Sequence, residues 1–162
     1  MIKEKLSTIL KILFLYFLGT NSINANNKFD YIPIFKLNSN FEQIKNNYSL
    51  TPYYSKYGKI KGAKCYKIKV LNGDVVLTEW NNKLHEVNYQ TPLSDKKEQI
   101  DKLHYLLKMY EENSIWNEWL DNGFGKFYKT SSSKYHAIWA YPNDTVSFFT
   151  EEVHNEPKYN DK

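Results

Sequence analysis

Residues 64–90 read KCYKIKVLNGDVVLTEWNNKLHEVNYQ, three short runs rich in β-branched and aromatic residues with turn signals between them. Such runs favour extended backbone, and successive side chains along a strand point to opposite faces. Asn72-Gly73 separates the first two runs and predicts a type I′ hairpin turn, which needs positive φ at both central residues. Asn81-Asn82-Lys83 supplies a second, looser turn. The segment is expected to be an antiparallel three-strand meander. Tyr66, Ile68 and Val70 fall on one of its faces and Cys65, Lys67 and Lys69 on the other, so helices belong over the first.

Working outward, residues 26–38 carry an apolar run broken by Pro33, which suits an edge strand or an extended lead-in. Ser39 or Asn40 caps a short helix with Phe41, Ile44 and Tyr48 at helical spacing, and Thr51-Pro52 ends it. Residues 53–63 read as a loop. Beyond Thr91-Pro92 lies the strongest helix, capped by Ser94 or by Asp95; the second choice puts Glu98 at the third helical position. Ile100, Leu103, Leu107 and Tyr110 line one face of it, broadened by Leu106 and Met109. A further helical turn or two, IWNEWLDNG, ends at Gly123. GKFYK, KYHAIWAY and TVSFFTEE then read as strands, with Pro142-Asn143-Asp144 as a turn.

The fold class expected is α+β: an antiparallel meander sheet of about six strands with helices on one face. A single domain over 26–152 would hold it. At a constant offset, Trp80 falls on Trp139, Val87 on Val146 and Tyr89 on Phe148, which suggests a tandem αβββ repeat over 39–91 and 98–150. The polar stretch 153–162 is expected to be a disordered tail.

Residues 1–25 combine Lys3 and Lys5, an apolar run from Ile9 to Leu18 broken only by Lys11, and a polar end at Ala25. That is the layout of a cleaved signal peptide, and it predicts an exported protein, periplasmic or secreted. The apolar run is shorter than the ~20 residues a membrane span requires, so no span is expected after cleavage. Cleavage removes three lysines and Glu4, taking the net charge from +4 to +2. All 22 basic residues are lysine. Bidentate recognition of phosphates and bases leans on arginine, so nucleic acid is not an expected partner. Cys65 stands alone, and no intrachain disulfide forms.

His85, His104, His136 and His154 lack a chelating spacing on any one element, and no metal or other cofactor is expected. No nucleophile elbow or phosphate loop occurs, and an enzyme is not expected. The acidic group Glu111, Glu112, Glu118 and Asp121 suits a solvated helix end. What stands out is aromatic content, 17% of the chain. Trp80 and Trp139 are assigned to the core. Tyr53, Tyr54, Tyr57, Trp116, Trp119 and Phe124 fall in expected loops or helix ends and are the candidate binding residues, since Trp and Tyr dominate interface hot spots. The function expected is a non-enzymatic module that binds another protein, of inhibitor, immunity or envelope-accessory type. The alternative is a carbohydrate- or small-ligand-binding module built on Trp and Tyr platforms.

Overall fold

The computed structural model describes residues 27–54, 60–110, 116–141 and 143–155. Up to Asp30 the chain forms one unit, of which residues 27–30 are described. They make a turn in which the Asp30 N–H donates to the Asn27 carbonyl and the Asn27 N–H to the Asp30 carboxylate, both at 2.9 Å. The second unit, from Tyr31 onward, is α+β.

Its strands are β1 (Thr51–Tyr53), β2 (Lys64–Val70), β3 (Gly73–Trp80), β4 (Lys83–Gln90), β5 (Trp116–Asp121), β6 (Gly125–Thr130), β7 (Tyr135–Ala140) and β8 (Thr145–Thr150). Its helices are α1 (Phe41–Asn47), α2 (Lys96–Met109) and α3 (Glu151–Asn155). The strands form one antiparallel sheet in the order β1-β2-β3-β4-β8-β7-β6-β5. Among the described residues there are thus eight strands rather than about six. One addition is β1, where a loop was expected to begin; Pro52 is tolerated there because β1 is an edge strand that needs only one row of hydrogen bonds. The other is β5, which replaces the helical turns expected over 115–123.

The meander is present, but its two turns exchange roles. Val70 pairs with Gly73, so Leu71 and Asn72 are the central residues, and of these only Asn72 has positive φ. The type I′ signature, positive φ at both positions, belongs to Asn81 (51°) and Asn82 (59°) between Trp80 and Lys83. Gly73 is required for a different reason. A Cβ there would lie 2.2 Å from the Gln90 carbonyl oxygen, so only glycine lets the end of β4 approach so closely.

The two sheet faces differ. Val75, Leu77, Val87, Tyr89, Val146 and Phe148 are buried on one face under α1 and α2. Phe41 of α1 packs on Tyr66 at 5.2 Å between ring centroids, and Tyr110 at the end of α2 stacks on Phe148 at 4.1 Å. Tyr89 and Tyr110 hold the lead-in segment: the Tyr89 hydroxyl donates to the Pro33 carbonyl at 3.1 Å, and the Tyr110 hydroxyl accepts from the Phe35 N–H at 3.3 Å. Burial raises the affinity of both phenols for their protons, which keeps them neutral donors. The opposite face carries Cys65, Lys67, Asn88, Ser147, Ile138 and Phe127, and at one end it is covered by α3, whose Val153 packs with Ile60 and Phe149. The helices therefore do not all gather on one face. Val153–Asn155, assigned to the tail from sequence, belong to α3; residues 156–162 lie outside those described.

Asn40 caps α1, accepting from the Glu42 N–H at 2.9 Å, and Asp95 caps α2, accepting from the Glu98 N–H at 2.9 Å. The buried stripe of α2 is Lys102, Leu103, Leu106 and Tyr110, while Met109 is exposed.

A helix followed by a four-strand meander occurs twice in the element order, and β4 joins β8 where the two meanders meet. Asn88 and Ser147 sit opposite each other at that seam, 59 positions apart, and the Asn88 amide donates to the Ser147 hydroxyl at 2.8 Å. The tryptophans do not match. Trp80 is half-buried opposite Lys83 at a turn, whereas Trp139 is buried opposite Val146 within its strand.

Candidate binding surface

Register decides which side chains share the open face. Leu120 pairs with Phe127 and Phe127 with Ile138, so these three form a row across β5, β6 and β7. The β5–β6 register jumps between Glu118 and Leu120, making Trp119 the extra residue of a bulge. The bulge turns Trp119 towards Phe127, with ring centroids 5.9 Å apart, and brings it beside Leu120. The Lys129 ammonium lies 6.0 Å from the Trp119 ring centroid, a cation–π distance. Trp119 is 50% exposed and Leu120 40%.

On the loop between β5 and β6, Phe124 is 82% exposed on a fixed backbone. Asn122 Oδ1 accepts from the N–H groups of Phe124 and Gly125, each at 3.0 Å, and Asp121 Oδ1 accepts from the Gly123 N–H at 3.0 Å. Gly123 supplies the positive φ that the loop needs. The Phe124 carbonyl accepts from the Tyr141 N–H at 2.7 Å, tying the loop to the far end of β7. A ring held open on an ordered backbone loses little conformational entropy on binding. On the opposite face of these strands, Glu118 and Lys126 form an ion pair at 3.1 Å, with Asp121 at 3.7 Å from the same ammonium.

The candidate residues do not form one site. Trp116 faces the helix-covered side, its ring edge-on to Phe148 at 5.6 Å, and its indole N–H is buried with no partner among the described residues. Tyr53 is in β1 at the opposite edge of the sheet from β5, half-buried, with the Lys67 ammonium 5.7 Å from its ring centroid. Tyr54 follows it, fully open. Tyr57 lies outside the described residues. Trp119 and Phe124 remain exposed at the β5 edge of the sheet. Leu120, Phe127, Lys129 and Ile138 join them and were not singled out from sequence; the strand alternation of 125–130 carried the signal for Phe127.

Two groups of ionisable side chains lie elsewhere. Lys102 is fully buried, and its ammonium donates to the Thr91 carbonyl (2.8 Å), the Asp144 carbonyl (3.0 Å) and the Asp144 carboxylate (2.5 Å). That carboxylate also accepts from the Trp139 indole and the Leu93 N–H, both at 3.0 Å. Burial lowers the proton affinity of Lys102, and Asp144 opposes that shift. With all three ammonium protons engaged, the pair ties α2 to the β7–β8 turn and offers nothing to a ligand.

The second group surrounds α3. The His85 Nδ1 lies 2.9 Å from the Thr150 hydroxyl and 3.5 Å from the Glu152 carboxylate. Nucleophile and orienting acid must bond opposite ring nitrogens to relay a proton, and here both meet the same one. Thr150 is also buried. His136 bonds Glu151 through Nε2 and stacks on the His154 ring at 4.2 Å. Among the described residues, no three His, Cys, Asp or Glu side chains are placed to hold a metal ion. No helix among them is long and apolar enough to cross a membrane.

No protein-family model matches the chain, and no curated protein or solved structure is detectably similar to it.

Proposed function

We propose that the chain is an exported, non-enzymatic module that binds another protein through the Trp119, Leu120 and Phe124 corner of its sheet. One observation carries this: three large apolar side chains are exposed on one edge strand and the loop that follows it. Exposed apolar patches of this kind mark interaction sites, and tryptophan is the residue type most enriched in their hot spots. The ionisable groups described above bond one another, which supports a binding role over catalysis. Export rests on the layout of residues 1–25.

Carbohydrate binding is the second reading, favoured by the half-exposed Trp119 ring. Sugar stacking needs a free aromatic face, and Lys129 lies near that ring. The test is capture from the envelope and secreted fractions with the mature chain and with a Trp119→Ala/Phe124→Ala variant, followed by calorimetry with the captured protein. Protein binding predicts a defined complex weakened at least tenfold in the variant. Glycan-array binding with no protein complex would instead support the second reading, and an equal affinity for both chains would place the site elsewhere.

A further inference from the structure

We propose, resting on the protein-binding reading, that the partner binds as a ninth strand along the outer edge of β5. Its alternate side chains are basic over Glu118 and Asp121 and apolar over Trp119 and Leu120. β5 ends the sheet, and five of its six residues are exposed. An edge strand leaves every second N–H and C=O without a ladder partner, a template for another extended chain.

Hydrogen bonds beside the β5–β6 loop fix which groups those are. The Asn122 N–H donates to the Gly125 carbonyl at 3.3 Å, while the Phe124 carbonyl accepts from the Tyr141 N–H at 2.7 Å. Backbone direction alternates along a strand, so Gly125, Phe127 and Lys129 point towards β5, and Lys126 and Tyr128 towards β7. Leu120, opposite Phe127, therefore points inward. Glu118 and Asp121, opposite Tyr128 and Lys126, point outward. Among the described residues, no strand lies on that side of them.

The two ends of the sheet are not equivalent. β1 has three residues, and Pro52 among them has no N–H to give. β5 is twice as long and has no proline. Its bulge twists the edge and discourages indiscriminate pairing, so side chains must supply the selection. Register puts Glu118 and Asp121 on one face, 42% and 41% exposed, against the single ammonium of Lys126. One negative charge is left over there, and β5 itself has no basic residue. Trp119 and Leu120 stand on the other face. A second copy does not fit this edge. Pairing β5 with another β5 would set both copies of Glu118 and Asp121 along one short ladder, where like charges repel. A strand with lysine or arginine at alternate positions and apolar residues between them suits both faces.

Short peptides selected from a random displayed library on the full chain test this. Those recovered should alternate basic and apolar residues. N-methylation of alternate amides in the best of them, in one of the two possible phases, should weaken binding at least tenfold by calorimetry. Glu118→Pro removes an outward N–H, a change that edge strands tolerate, and should weaken binding as much. Glu118→Gln keeps that N–H and should lose less. Bound peptide should also slow hydrogen exchange of the Glu118 and Asp121 amides, a readout that holds even if the proline variant fails to fold. Recovery of no binder, peptides without the alternation, affinity unchanged by either methylation phase, or a β5-paired dimer would each overturn the proposal. Binding lost in Trp119→Ala/Phe124→Ala but kept in folded Glu118→Pro would overturn the added strand and leave the protein-binding reading. The reverse would support the strand and move the contact away from that corner.

Discussion

Replacing Lys102 by methionine should destabilise the protein by about 3–5 kcal/mol, the loss expected when one partner of a buried ion pair is removed. The magnitude follows from the surroundings. The side chains of Lys102 and Asp144 are 0% and 1% exposed, so water cannot take over the charge that remains. Methionine keeps the length and apolar stem of lysine, so little of the loss comes from packing. The Asp144 carboxylate would keep the Trp139 and Leu93 donors but no counter-charge. Asp144→Asn isolates the other half, and asparagine tolerates the backbone there, where φ is 48°. Urea unfolding followed by circular dichroism gives each loss. The double variant should cost less than the two single losses combined, by about 1–3 kcal/mol, as expected for residues in one network. Additive losses, or a Lys102→Met loss under about 1 kcal/mol, would show that the pair is not coupled in the way its geometry implies.

Leu103→Ala should cost about 2–5 kcal/mol in the same assay, because the leucine is buried between α2 and the sheet; a loss near zero would misplace the helix face. Trp116→Ala should cost about 1–3 kcal/mol, less than the ~3–5 kcal/mol of a fully buried tryptophan because the ring is half-buried on Phe148, whereas a fully stable variant would put that ring outside the core. Mass spectrometry of the protein from its native source should find an N-terminus at or near Asn26, and intact Met1 would refute cleavage.

The meander was legible because three runs of β-forming residues and two asparagine-bearing turns agree with one another. The α2 cap was legible too, as one of two alternatives. The β5 strand was not, and the reason is geometric. Trp116, Trp119 and Leu120 stand at helical spacing, yet the bulge puts Trp119 and Leu120 on one face of a strand and leaves Trp116 on the other. A bulge changes the strand period locally, and no composition rule announces it. Lys102 was missed because pattern reading assigns lysine to solvent, and only the tertiary fold brings Asp144 to it across 42 positions. Val153 was missed because one apolar residue among acids carries no periodicity. Of the candidate surface, the exposure of Trp119 and Phe124 was anticipated; their neighbours depended on register.

The β4–β8 seam also bears on how the chain is made. β2 to β4 close through two-residue turns soon after they leave the ribosome, but β8 is the last strand synthesised among the described residues. Until then the outer edge of β4, with Val87 and Tyr89, has its hydrogen-bonding groups unsatisfied and is a template for pairing with another chain. Contacts between segments so far apart carry a loop-closure cost that local hairpins do not. A chain stopped before Thr145 therefore keeps a sticky edge, and pausing or truncation in that interval is where aggregation should be concentrated.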